Sequence, residues 1–176
     1  YKIATELKNS GVAAVVWSDW GAFKLESYDA TSYNARLLME AGVVTSLHSD
    51  NAEISTRMNW EAGKLLRSGV DEILALSTVT NQSAKAIAID SKVGSLEAGK
   101  DADFVIWSGN PLSQFTKAEQ TWVDGRKYFS LDEDKVLRED IAKQRAQLLQ
   151  AVLAAGVTET PAAGPARGRG GEGARK

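Results

Sequence analysis

Residues 42–51 read GVVTSLHSDN. A glycine opens a run of apolar and β-branched residues from Val43 to His48, and Ser49-Asp50-Asn51 follows at once. That is the pattern of a short buried strand emptying into a polar turn. Just upstream, YDATSYNARLLMEAG at 28–42 sets Tyr33, Leu37, Leu38 and Ala41 at helical spacing, and Gly42 is a natural stop. Before a polar and aromatic loop lies GVAAVVWS at 11–18, apolar and bounded by Gly11 and Asp19, which predicts another strand covered on both faces. Strand, helix, strand in that order implies parallel pairing, because a parallel connection needs a crossover of about a dozen residues.

Downstream, Ile54, Met58, Ala62, Leu65 and Leu66 fall on one face of a helix that closes at Gly69. Asp71 can cap a short helix through Leu76, and Thr80 another through Ile87. Residues 11–87 therefore read β-α-β-α-α-α. The character then changes. VGSLEAGKDADFVIWSGNPL at 93–112 carries glycines at turns and a strand from Phe104 to Trp107. Ala118 to Val123 and Arg126 to Phe129 predict a hairpin around Asp124-Gly125. A long amphipathic helix follows from Asp132 to Ala155, with Leu137, Ile141, Leu148 and Val152 as its stripe. Beyond Thr158 the sequence ETPAAGPARGRGGEGARK is too poor in apolar residues to fold, so a disordered tail is expected.

The chain has 176 residues, 43% hydrophobic and 25% charged, enough for one ordinary core. No apolar run approaches the ~20 residues of a membrane helix, so no membrane partner is expected. The first residue is Tyr1, and any leader would stand on a preceding segment. With no cysteine, disulfides, thiolate metal sites and a cysteine nucleophile are excluded. A formal charge of -2 offers no field for nucleic acid. The tail's Arg167-Gly168-Arg169-Gly170-Gly171 lacks interleaved aromatics and reads as a solvated end rather than an RNA-binding segment. His48 is the one histidine, and catalytic zinc usually takes about three protein ligands from His, Asp or Glu.

Five segments carry a resemblance to the imidazolonepropionase-like and prolidase-like branch of the amidohydrolase superfamily. They are SDWGAFKLESYDATSYN at 18–34, GVVTSLHSDN at 42–51, NWEAGKLLRSGV at 59–70, VGSLEAGKDADFVIWSGNPL at 93–112 and TWVDGRKYF at 121–129. The resemblance implies the C-terminal portion of a metal-dependent (β/α)₈ barrel, its last two βα units in residues 1–92, and part of a small β-sandwich in 93–130. A C-terminal helix over 131–157 and the disordered tail over 158–176 complete the division. It further implies hydrolysis of a carbon-nitrogen bond in an amide, a dipeptide or a cyclic amide by a metal-activated water. One or two divalent ions, zinc above all, would serve the full-length enzyme. The aspartate ending the eighth strand would bind metal and carry the proton, and Asp50 stands there.

A barrel needs roughly 200 to 250 residues or more. The family's other ligands, a His-x-His pair on the first strand, a lysine or glutamate on the fourth and histidines on the fifth and sixth, have no place in this sequence. The chain is thus read as a fragment, inactive alone, whose partner is the missing N-terminal part of the same chain. A homo-oligomer stays open. Exported bacterial proteins are frequent in the branch, yet the residues themselves leave the compartment open. Two other readings of function stay open: a non-catalytic structural or binding chain, and a deaminase of the same superfamily.

Among single residues, Asp50 stands between a helix N-cap and a metal ligand, and the resemblance favours the ligand. His48 points to the same side of its strand, as a barrel-interior or substrate-binding group. Asp19, Trp20, Lys24 and Glu26 follow the earlier strand, where barrel loops line the pocket; Asp19 and Trp20 are the substrate-binding candidates. Lys100, Asp101 and Asp103 read as turn and salt-bridge residues. Trp60, Trp107 and Trp122 read as core or interface aromatics. Gly94 and Gly99 mark tight turns.

Overall fold

The computed structural model describes residues 1–156 apart from Phe23. The tail expected to be disordered, with its Arg-Gly steps, lies outside the described residues.

The strand-helix-strand reading holds. Strands β1 (Ala14–Val16) and β2 (Thr45–Leu47) pair in parallel, Ala14 opposite Thr45 and Val16 opposite Leu47, with helix α2 (Asn34–Glu40) between them. β2 is buried throughout, as expected. β1 departs from expectation, because it hydrogen-bonds β2 along one edge only and leaves Val15 53% exposed. Preceding it, helix α1 (Ala4–Ser10) buries no residue and so left no apolar stripe to read in the sequence.

The helix expected from Ile54 to Leu66 is interrupted. Helix α3 (Ala52–Ser55) ends at Thr56, and helix α4 (Met58–Lys64) runs on into a 3-10 turn, Leu65–Ser68, that stops at Gly69. At the break, Ser55 Oγ donates to the Ala52 carbonyl and Thr56 Oγ1 to the Glu53 carbonyl, both at 2.7 Å. Hydroxyls that bond back onto the preceding turn compete for the helix's own acceptors. Helices α5 (Glu72–Ser77) and α6 (Asn81–Ala86) follow. Asp71 caps α5 through the amides of Ile73 and Leu74 as read, whereas Thr80 turns its hydroxyl back to the Leu76 carbonyl and does not cap α6.

One apolar cluster holds this layer together: Ala35 of α2, Leu47 of β2, Ala62 of α4, then Leu65, Val70, Ala75 and, from far along the chain, Leu112. Burying such side chains stabilises by about 1.5–3 kcal/mol for each large one. Leu112 ends the segment NPL, which docks on α4: Asn59 Nδ2 donates to the Pro111 carbonyl at 2.6 Å. A Cβ on Gly63 would lie 2.6 Å from the Leu112 carbonyl oxygen, so only glycine permits this approach.

Residues 93–130 leave the βα alternation, as the sequence indicates. Gly94, at φ +94°, turns the chain so close to α6 that a Cβ would come within 2.7 Å of Ala84 Cβ. Strands β3 (Phe104–Trp107), β4 (Ala118–Val123) and β5 (Arg126–Ser130) form an antiparallel sheet in that order. Asp124 and Gly125 at the hairpin both take positive φ, 50° and 71°, the geometry expected of an Asp-Gly turn. Asp103 accepts the Asp124 amide at 2.8 Å, and Lys100 Nζ bonds Ser95 Oγ at 2.6 Å, so both act in turns as read. Phe104 and Trp122 stack at 5.6 Å.

The chain divides after Asp134 into two compact units. Helix α7 (Leu131–Ala154) lies mostly in the second and exposes its stripe, Leu137, Ile141, Leu148 and Val152, by 49% or more. No helix among the described residues is long and apolar enough to cross a membrane.

Candidate functional site

Parallel pairing sends the C-terminal ends of β1 and β2 to one rim. The ladder continues one step past β2, where the His48 amide donates to the Val16 carbonyl at 3.1 Å. Trp17, directly after β1, thereby comes against His48, ring centroids 4.7 Å apart and tilted by 37°. Trp20 stacks on Trp17 at 5.8 Å with an interplanar angle of 1°. Lys24 Nζ lies 6.0 Å from the Trp17 ring centroid, the outer reach of a cation-π contact. Glu26 stands exposed in the 3-10 turn Leu25–Ser27.

Asp50 follows His48 by two residues on this rim. It is exposed and takes a left-handed φ of 49°, which aspartate tolerates better than most side chains. The cap of α3 is its neighbour: Asn51 Oδ1 accepts the amides of Glu53 at 2.9 Å and Ile54 at 3.0 Å. The capping role weighed for Asp50 therefore belongs to Asn51, and the Asp50 carboxylate is not spent on the helix.

Between the two stacked tryptophans, Ser18 and Asp19 enter a charged network with α4. Ser18 Oγ donates to Glu61 Oε2 at 2.6 Å, and Lys64 Nζ bonds both Glu61 and Asp19 at 3.0 Å. Arg67 donates to the other Asp19 oxygen at 2.8 Å. Ser18 is 3% exposed and Glu61 5%, whereas Asp19 and Lys64 are partly exposed and Arg67 is 71% exposed, so the network is desolvated at its Ser18–Glu61 end and each charge has an opposite neighbour. Burial works to raise the Asp19 carboxyl, but the bonds and charge from Lys64, with Ser18 and Arg67, hold it below its ordinary value. Burial likewise works to lower Lys64, and Glu61 and Asp19 outweigh it and hold the ammonium above its usual range.

The structure thus brings Trp20 and His48 together with Trp17, and turns Asp19 toward α4. Trp17, Glu61 and Lys64 escaped the sequence reading. The signals were present: a tryptophan directly at a strand's C-terminal end, and Glu and Lys three apart on one helix face. Among the described residues, no group of three or more His, Asp or Glu side chains could hold a metal ion. Asp50 and His48 would give at most two donors, short of a catalytic set of about three.

Comparison with known proteins places this chain of βα units in a family. The profile of the Amidohydrolase family matches residues 2–127, and the chain belongs to that family. Amidohydrolase tasK of Hapsidospora irregularis is 30% identical over 118 residues, 66% of this chain and 12% of that protein. The structure of an amidohydrolase from Thermotoga maritima superposes with a TM-score of 0.67 at 31% identity, over 74% of this chain and 34% of that one. An adenosine deaminase from Xanthomonas campestris with bound zinc shares the fold, with a TM-score of 0.56 at 18% identity, over 86% of this chain and 41% of that one. The chain therefore spans a minor part of each relative's length.

Proposed function

We propose that the full-length protein is a metal-dependent hydrolase of carbon-nitrogen bonds in an amide, a dipeptide or a cyclic amide, and that this chain is the C-terminal portion of its (β/α)₈ barrel and small β-sandwich. The observation that carries the reading is the placement of Asp50: it follows a buried parallel strand, on the rim where barrel enzymes work, and Asn51 relieves it of capping.

In this reading Asp50 contributes one metal ligand and serves as the proton carrier. Water forms a bond to the carbonyl carbon, the C–N bond breaks, and the carboxylate passes the water's proton to the leaving nitrogen. A divalent ion, zinc by preference, would be held in part by Asp50 and would supply Lewis-acid charge stabilisation. The bound zinc of the structurally similar deaminase supports that preference. The chain's own donors do not complete a metal site, so the remaining ligands are assigned to the rest of the protein. His48 and Trp20 face substrate, while Asp19 serves it indirectly by fixing the rim.

The test is metal content and turnover of the full-length protein, wild type and Asp50→Asn, on dipeptides and cyclic amides. Stoichiometric zinc with turnover that falls by several orders of magnitude in the variant is expected. A metal-free, inactive full-length protein would favour the structural or binding reading instead.

A further inference from the structure

Helix α7 has 24 residues and buries none of them. Helices in proteins are held mostly by packing an apolar face, yet Leu137, Ile141 and Leu148 stand 59%, 60% and 66% exposed. Leu137, Ile141, Gln144, Leu148 and Ala151 follow one another at steps of four, three, four and three. That is the 3.5-residue repeat of a coiled-coil seam, in which neighbouring helices interlock along one stripe.

The flanks of the seam select the partner. Glu133 and Asp140, seven apart, lie along one side of it, and Arg138 and Arg145, also seven apart, along the other. In a parallel pair of such helices, each residue on the first flank faces the residue five positions further on in the other helix. Two copies of α7 therefore set Glu133 opposite Arg138 and Asp140 opposite Arg145, twice over. An antiparallel pair would set acid against acid and arginine against arginine. Contacts within the chain leave room for this. Asp140 meets Lys143 at 3.6 Å, too long for a hydrogen bond, and Glu133 takes Lys127 at 2.6 Å with its side chain still 63% exposed. A carboxylate accepts more than one donor.

We propose that α7 is an interface between two copies of this protein, joined in parallel as a two-stranded coiled coil along Leu137, Ile141, Leu148 and Ala151. Gln144, the polar member of the seam, meets its own counterpart there, which favours a single register at some cost in strength. The inference is independent of the hydrolase reading.

The experiment measures the mass of the full-length protein by sedimentation at roughly micromolar concentrations. A dimer is expected. Asp140→Arg alone and Arg145→Asp alone each place like charges across the seam twice, and each should weaken the dimer about tenfold or more. Mixing the two variants restores opposite charges at both places, so a heterodimer should form with close to wild-type strength. The double variant Asp140→Arg with Arg145→Asp should recover the homodimer, which also shows that neither change acts by unfolding α7. Ala151→Cys reads direction, because a parallel pair brings position 151 against itself. Mild oxidation should then give a covalent dimer that the parent protein does not form. A monomer throughout the concentration range would overturn the proposal. So would a dimer indifferent to the charge reversals, which would place the contact elsewhere, or a failure of position 151 to cross-link.

Discussion

Gly63 and Leu112 lie 49 positions apart in sequence, yet a Cβ on the first would come 2.6 Å from the carbonyl oxygen of the second. The obstacle is backbone, which cannot swing aside as a side chain tip could. Gly63→Ala should therefore push the Asn110-Pro111-Leu112 segment off α4, break the Asn59 to Pro111 bond and open the core around Leu112. Overpacking of this kind costs about 1–3 kcal/mol. Urea denaturation of the full-length protein should show the loss. A variant as stable as wild type would mean that the segment does not dock as described.

Asp50 and Asn51 are adjacent and chemically similar, but the structure separates their duties. Asn51→Ala removes a cap that accepts two amides and should cost about 1 kcal/mol of stability. Asp50→Asn removes no structural bond of α3 and should leave the melting temperature within a degree or two, while turnover is lost. The paired measurement of melting and activity separates them. Equal destabilisation by both substitutions would return Asp50 to a structural role.

Much of this was legible in sequence, for a physical reason. The run Val43 to His48 and the stripe of Ala62 and Leu65 report burial, and burial leaves a periodic trace. So does the Asp124-Gly125 turn, where the backbone itself demands particular residues. Long-range polar partnerships leave no such trace: nothing in the order of residues says that Glu61 meets Ser18, or that Asp19 turns to Lys64 and Arg67. The break after Ser55 was hidden likewise, since it depends on which way the Ser55 and Thr56 hydroxyls turn. The shortness of β1's cover was hidden because Val15 is exposed through what lies beside the strand, not through anything in the strand.

The chain alone, supplied with zinc, should turn over neither dipeptides nor cyclic amides at an enzymatic rate. Asp50 and His48 are too few donors for a catalytic ion, and no third carboxylate among the described residues joins them. β1 also leaves one edge without a strand in these residues, which favours association over a preformed pocket. Assays of the isolated chain beside the full-length protein check this. Robust zinc-dependent turnover by the chain alone would show that its site is built otherwise.

The charged network should give the protein a pH signature with opposite signs at its two ends. Asp19 has its folded-state pKa depressed, so its contribution is present above the carboxyl's ordinary pKa and is lost as pH falls through the lower folded value. Lys64 has its pKa raised, so its contribution is complete below about 10.4, the ordinary lysine value, and is lost as pH rises through the folded one. The plateau between the two is where the rim is held. Asp19→Asn should flatten the acid limb of a urea-midpoint-versus-pH curve without moving the alkaline limb far, because Glu61 still pairs with Lys64 at 2.9 Å. Lys64→Met is the harsher change, since it strands Glu61 in a site where, among the described residues, Ser18 alone still bonds it, and it should cost about 1–3 kcal/mol at neutral pH. Adding Glu61→Gln to Lys64→Met should recover part of that loss, as removal of the stranded charge relieves its desolvation. An acid limb in Asp19→Asn that matches wild type would place the acid-sensitive carboxylate elsewhere.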